Sequence, residues 1–206
     1  MIDLSHPLTA GMPVYPGDPP TAIQSIEVEP GIRVSRLTLG THAGTHMDAP
    51  AHFLPHGRTI GQTPLEYCAG PAVLVRVKAP MITPEHLAAL EPEIRRTGKL
   101  ILNTGWHHHW GEAAYFDDHP VILEEASVFL VGCGVHLVGI DAPSVDKAPY
   151  PAHRVLLGSG AVILENLTNL DAIAGPLFHL IALPLAVAGA DGSPVRVVAA
   201  DQALLY

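Results

Sequence analysis

Residues 41–53 read Thr-His-Ala-Gly-Thr-His-Met-Asp-Ala-Pro-Ala-His-Phe, so that three imidazoles and one carboxylate, His42, His46, Asp48 and His52, fall within eleven positions. Neutral imidazole and ionised carboxylate together suit borderline divalent ions such as Zn²⁺ or Mn²⁺, and no cysteine stands in the cluster to close a thiolate finger. The spacing therefore predicts a catalytic metal centre with an open coordination position. An ion held in that way lowers the pKa of a bound water and polarises a carbonyl oxygen at the same time. The competing reading of the same residues is a non-catalytic metal-binding protein, in which His42, His46 and Asp48 merely tie a loop down. His52 discriminates between the two. A closed structural site needs no free imidazole beside it, whereas an enzyme needs both an open coordination position and a base.

The elements that must position these groups are partly legible. Gly44 permits a φ that other residues adopt only at a cost, and Pro50 pushes Ala49 out of the α region, which predicts a shaped loop. The aliphatic and β-branched stretch 34–39 predicts a strand ending at Gly40, which places the ligands where a strand ends. Further strands are expected at 72–77, 100–103, 135–140, 161–164, 177–187 and 195–200. Helices are expected from the Thr83-Pro84 start signal, over 123–131 and over 152–157. The short connection Gly189-Ala190-Asp191-Gly192 predicts an antiparallel hairpin between the last two strands, so the sheet is mixed. These features make an α/β protein, a single domain over 1–206 with a mixed β-sheet and flanking helices.

The string His42-x-Gly44-Thr45-His46-x-Asp48-x-Pro50-x-His52-Phe53 resembles the signature of the cyclase-type metal-dependent hydrolases, the family of the bacterial kynurenine formamidases (arylformamidases) and isatin hydrolases. Weaker matches follow in the same order along nearly the whole chain: Asp3-Leu4-Ser5-His6-Pro7-Leu8, Val14-Tyr15-Pro16-Gly17-Asp18, Thr104-Gly105-Trp106, Gly139 to Asp146, His153 to Leu157, Ile163 to Leu167 and Gly192 to Arg196. The resemblance implies a swivelling β/β/α fold. It implies His42, His46 and Asp48 as ligands of a first ion, with Asp48 bridging to a second held by His153 and Glu165. His52 takes the general acid/base role. Tyr15 and Phe53 become an apolar wall against an aryl ring. Glu165 also has an independent argument, since an ionised carboxylate at the end of the apolar run 161–164 needs a partner.

The reaction implied is hydrolysis of N-formylkynurenine to kynurenine and formate, a step of tryptophan catabolism in the kynurenine pathway. Where the formamidases often carry paired histidines, this chain has His153-Arg154. An isatin-type lactam or another small amide or ester therefore stays open as substrate. The cofactor expected is one or two Zn²⁺ ions per chain, with Mn²⁺ as the alternative.

Composition sets the remaining expectations. A chain of 206 residues with 48% hydrophobic content can bury a sizeable core. Twenty acidic against eleven basic residues give a formal charge of -9, which provides no footprint for nucleic acid or an anionic membrane. The partners expected are a small-molecule substrate and copies of the chain itself, as a dimer or tetramer. The N-terminus has no signal-peptide pattern, and the apolar stretch 180–190 is broken by Pro184 and Gly189, which predicts a cytoplasmic protein. Cys68 and Cys133 fit neither a disulfide framework nor a metal spacing. Gly132-Cys133-Gly134 lacks the third glycine of a dinucleotide loop, and Gly158-Ser159-Gly160 is no nucleophile elbow. His107-His108-His109 reads as a surface loop, because neighbouring residues point in different directions. Asp141 and Asp146 either position ligands or cap the next turn, and both readings stay open.

Overall fold

The computed structural model describes residues 1–200; residues 201–206, at the end of the expected domain, lie outside the described residues. The chain opens with β1 (Ile2–Asp3), then leaves the body of the molecule as an antiparallel pair, β2 (Ala22–Glu29) and β3 (Ile32–Thr38), before β4 (His46–Asp48) returns to it. A short helix α1 (Leu65–Cys68) leads into β5 (Ala69–Arg76), and β6 (Met81–Ile82) leads into α2 (Pro84–Ala88), α3 (Glu91–Thr97) and β7 (Lys99–Asn103). Then come β8 (Val121–Ile122), α4 (Glu124–Gly132), β9 (Leu137–Ile140), α5 (Pro151–Gly158) and β10 (Val162–Glu165). The hairpin β11 (Leu177–Pro184) and β12 (Gly192–Ala200) is antiparallel, as its connection predicts. α2 starts at the Thr83-Pro84 signal, and α3 stops at Gly98, whose φ of 64° a side chain would resist.

One sheet runs in the order β1-β12-β11-β5-β7-β9-β10-β4, and β4 pairs back onto β12, which closes the strands from β12 to β4 into a ring. β5, β7, β9 and β10 are parallel to their neighbours within this group, and the other pairings are antiparallel. Strand period explains why the centres of the parallel strands are apolar on both faces. Val73, Val75, Leu100, Leu102, Val138, Ile140 and Ile163 meet Leu87, Ile94, Leu130 and Leu156 from the helices. Their sequence neighbours Ala72, Leu74, Ile101, Leu137, Val162 and Leu164 turn the other way, onto Leu4, Met47, Phe178 and Val197 inside the ring. A strand buried on both faces needs no polar alternation.

Two expectations are corrected. The strand predicted at 34–39 is β3, but it pairs only with β2, is exposed along its whole length and does not belong to the sheet that carries His46 and Asp48. The shaped loop is in part a strand: His46, Met47 and Asp48 are β4, buried between β10 and β12. Rigidity at His46 and Asp48 therefore comes from two flanking strands and not from a preceding one. Among the described residues no helix is long and apolar enough to cross a membrane.

Candidate active site

Period 2 in β4 puts His46 and Asp48 on one face and Met47 in the core on the other. Register then supplies their partners: Glu165 of β10 lies directly across from His46, and Gly192 of β12 directly across from Asp48. Gly192 has to lack a side chain, since a Cβ there would sit 2.8 Å from Cε1 of His42 and 3.0 Å from the Met47 carbonyl oxygen. Gly44, with φ +64°, turns the chain between His42 and His46, and its carbonyl accepts the Nδ1–H of His46 at 2.8 Å. That bond leaves Nε2 of His46 as the lone pair facing the carboxylates. The Gly44 carbonyl also accepts from Asn166 Nδ2 at 2.9 Å, so the turn is tied to the end of β10.

The donor set fits a metal ion on geometry. Bonds of about 2.0–2.1 Å at tetrahedral angles separate neighbouring ligand atoms by about 3.3–3.4 Å. His46 Nε2 lies 3.3 Å from Asp48 Oδ1 and 3.5 Å from Glu165 Oε2, and His153 Nε2 lies 3.4 Å from Glu165 Oε1 and 3.7 Å from Asp48 Oδ2. Oδ2 of Asp48 is buried with no hydrogen-bond partner. The two carboxylate oxygens of Asp48 thus serve two groups that could each hold an ion, His42-His46-Asp48 on one side and Asp48-His153-Glu165 on the other. His42 is held differently, with Nδ1 2.7 Å from Asp48 Oδ1 and Nε2 3.0 Å from Asp191 Oδ2, both hydrogen-bond lengths.

The charges in the cluster are strongly interdependent. Burial opposes an imidazolium at His46, but Asp48 and Glu165 outweigh it and push the ring up to about 10. Burial is likewise outweighed at His153, raised by the hydrogen bond to Asp146 and by the neighbouring carboxylates of Asp48 and Glu165, and at His42, raised by Asp48. Burial would raise Asp48, yet His46 and His42 hold it well below the usual carboxylate range. Glu165 is also lowered, against burial and the Asp48 charge, by His153 and His46. Protons shared between buried imidazoles and carboxylates occupy the positions that a divalent cation would take.

Asp146, on the segment after β9, combines the two roles left open by sequence. Its Oδ1 accepts the Nδ1–H of His153 at 2.6 Å, and its Oδ2 accepts the backbone N–H groups of Ala152 and His153 at 2.6 and 3.2 Å. It therefore caps α5 and fixes the ring of His153 with Nε2 toward Asp48. Asp141 accepts from Thr104 N and Oγ1, from Gly105 N and from His107 Nδ1, so it organises the 104–107 turn away from the cluster.

A cavity of about 320 Å³ opens onto the cluster, lined by Tyr15, Asp18, His42, His52, Phe53, Pro143, Ser144, Tyr150, His153 and Glu165. A larger one of about 570 Å³, around His6 and Arg196, lies against β1 and β12 and includes none of His42, His46, Asp48, His153 and Glu165. His52 sits at the mouth, its side chain 30% exposed and its ring 4.0 Å from that of His42. Phe53 stacks on His153 at 4.7 Å and meets Tyr150 edge-on at 5.6 Å. Tyr15 and Tyr150 line the same wall, and burial together with the neighbouring Tyr150 hydroxyl pushes the Tyr15 hydroxyl up to about 12.

Sequence reasoning missed Asp191 and Tyr150. Asp191 Oδ2 receives both His42 Nε2 at 3.0 Å and His52 Nδ1 at 3.2 Å, while Thr41 Oγ1 donates to its Oδ1 at 2.9 Å. Burial would raise that carboxyl, but the bond from His42 and its charge hold it at about 2. In the sequence the Asp-Gly pair signals only a turn. Tyr150 has φ 61°, unusual for a residue with a bulky side chain, and its signal is its place three residues before His153 and just ahead of Pro151. His107-His108-His109 is no surface loop throughout: it forms a 3₁₀ turn with His107 buried. Cys133 sits buried at the exit of α4, and burial pushes its thiol up.

A family model described as Putative cyclase matches residues 2–147. The kynurenine formamidase of Bordetella avium is 36% identical, with 95% of each chain covered, and that of Bacillus thuringiensis is 37% identical over 96% of this chain and 95% of its own. Among solved structures, isatin hydrolase A from Labrenzia aggregata superposes with a TM-score of 0.85 at 28% identity, covering 96% of this chain and 92% of its own. The predicted metal-dependent hydrolase from Bacillus stearothermophilus superposes at 0.81 with 30% identity and 96% of both chains covered.

Proposed function

The chain belongs to the putative cyclase family, and from that premise we propose that it is a metal-dependent hydrolase of non-peptide carbon–nitrogen bonds, a kynurenine formamidase that converts N-formylkynurenine to kynurenine and formate. The observation that carries the reading is the shared carboxylate of Asp48, whose two oxygens lie near tetrahedral edge distances from His46 on one side and His153 on the other, in a chain 36–37% identical to kynurenine formamidases. In this reading His42, His46 and Asp48 hold a first ion, and Asp48, His153 and Glu165 a second. Imidazole and carboxylate without thiolate favour Zn²⁺, with Mn²⁺ the alternative.

When bound, the metal supplies Lewis-acid polarisation of the carbonyl and a water of lowered pKa. The remaining steps belong to the protein. Asp191 accepts the Nδ1–H of His52, which leaves Nε2 free to take a proton and return it to the departing aniline nitrogen. Phe53, Tyr15 and Tyr150 wall the cavity with aromatic surface suited to an aryl ring. A formyl carbon is small enough to approach in a confined site, and an aniline leaves more readily than an alkyl amine once protonated.

The superposition on isatin hydrolase A supports a second reading, hydrolysis of a cyclic aryl lactam by the same residues. Comparing kcat/KM for N-formylkynurenine, a simpler N-formyl aryl amine, isatin and an aryl ester on the metal-replete enzyme decides between them. Formyl aryl amides leading supports the proposal, and isatin leading by a large factor moves the assignment to the lactam. The further parts of the reading are a single domain over 1–206, cytoplasmic residence and a homo-oligomer, dimer or tetramer. The exposed arm of β2 and β3, which leaves Ile23, Val28, Ile32, Val34 and Leu37 uncovered, supports self-association.

A further inference from the structure

His107, His108 and Asp171 converge at the carboxyl edge of the sheet, away from the Asp48 cluster, with one ligand atom of each within 4.8 Å of the others. His107 and His108 come from the 3₁₀ turn that follows β7, and Asp171 from the 3₁₀ turn Leu170–Ala172 that follows β10. Their two rings lie 4.1 Å apart at 38°, so the tight turn brings adjacent side chains to one side, which the sequence argument against this tract did not anticipate.

The tautomer of His107 is dictated by its surroundings. Asp141 is fully buried and faces Thr104 N at 2.9 Å, Thr104 Oγ1 at 2.6 Å and Gly105 N at 2.8 Å, all donors, and receives His107 Nδ1–H at 2.7 Å. The proton on His107 therefore sits on Nδ1. Its Nε2 lone pair, on a side chain only 5% exposed, points toward Asp171 Oδ2 at 3.7 Å, beyond hydrogen-bond length. A lone pair facing a carboxylate is unfavourable unless a proton or a metal cation lies between them, and a gap of 3.7 Å is too long for a shared proton. Asp171 is presented for that purpose: Asn103 Nδ2 donates to its Oδ1 at 2.8 Å, while Oδ2 faces both imidazoles, with His108 Nε2 at 2.9 Å. The chain carboxylate–imidazole–ligand position, here Asp141-His107, is the arrangement that orients histidines at metal sites.

We propose that His107 Nε2, His108 Nε2 and Asp171 Oδ2 form a separate, peripheral site for a borderline divalent transition-metal ion, Zn²⁺ above all. Two imidazoles and one carboxylate suit such ions and discriminate against Ca²⁺ and Mg²⁺, which take oxygen ligands. The half-exposed Asp171 and His108 leave the remaining coordination to water. The ion clamps the turn after β7 to the turn after β10, joining segments more than sixty residues apart in sequence.

The test is zinc stoichiometry of the full chain, dialysed against buffered free Zn²⁺, for wild type, His108→Ala and Asp171→Asn, with Tm recorded for each with and without the ion. The account expects one ion fewer per chain in each variant, and a zinc-dependent rise in Tm that shrinks in both. Removing a ligand weakens binding by more than the about 10- to 100-fold that loss of a supporting residue costs. His46→Ala separates this site from the catalytic proposal, because it removes the ion assigned to His42, His46 and Asp48 and leaves the peripheral ion in place. Equal zinc content in wild type and both variants, or zinc lost from the wild type at every concentration that keeps the Asp48 cluster filled, overturns the proposal.

Discussion

Replacing Asp146 by asparagine keeps the side chain's shape and removes one acceptor from a residue with three bonds to receive. The carboxylate takes His153 Nδ1–H on one oxygen and the N–H groups of Ala152 and His153 on the other. An amide has a single oxygen. If that oxygen stays on the backbone, the amide N–H₂ faces His153 and drives the ring proton to Nε2, which removes the lone pair directed at Asp48 and Glu165. If the oxygen turns to His153, α5 loses its cap and two buried donors face an amide N–H₂. The first arrangement costs about 10- to 100-fold in affinity for the ion held by His153, or about 1.4–2.7 kcal/mol. The second costs about 1–3 kcal/mol of fold stability. The assay is chelator competition for metal on Asp146→Asn, paired with Tm of the metal-free form. Wild-type affinity for every ion together with an unchanged Tm would refute the reasoning, because one oxygen cannot satisfy both sets of donors.

His52→Ala is expected to lower turnover by about 10²- to 10⁴-fold while the protein keeps its metal; elemental analysis showing metal lost with activity would instead make His52 a ligand. Glu165→Ala should leave one fewer ion per chain at the Asp48 cluster, and full retention would remove it from the ligand set. Because His46 is raised to about 10 and His153 is raised as well, ions must displace protons, so apparent metal affinity should fall as pH is lowered, with proton release visible by calorimetry in buffers of different ionisation enthalpy. The metal-free protein should behave in the opposite sense: the contribution of His46 is complete below about 6.5 and is lost as pH rises through about 10. Metal-free stability that climbs between those values would contradict the assignment of the carboxylates as its partners.

What the sequence exposed and what it hid follow from range. His42-x-x-x-His46-x-Asp48 is legible because ligand chemistry is local, and the apolar runs of β5, β7, β9 and β10 are legible because both faces of those strands are buried. The strand character of His46–Asp48 was hidden because three residues are too few for a period to register, although His-x-Asp is itself a period of two. The strand at β3 was found and misplaced: its β-branched residues specify an extended conformation but not a partner, and the partner is β2 in an arm outside the main sheet. Closure of the ring by β4 on β12 depends on register between segments about 145 residues apart, which no local pattern encodes. Asp191 was hidden for the same reason. Its role exists only once that closure brings the hairpin tip onto His42 and His52.

The most direct measurement is formate release from N-formylkynurenine by enzyme stripped of metal with chelator, then returned to stoichiometric Zn²⁺ or Mn²⁺ and compared with His46→Ala treated in the same way. The account predicts that stripping abolishes turnover, that one of the two ions restores it in the wild type, and that neither restores it in His46→Ala. Undiminished turnover by metal-free wild type, or no turnover after the cluster is shown to be refilled, would contradict it.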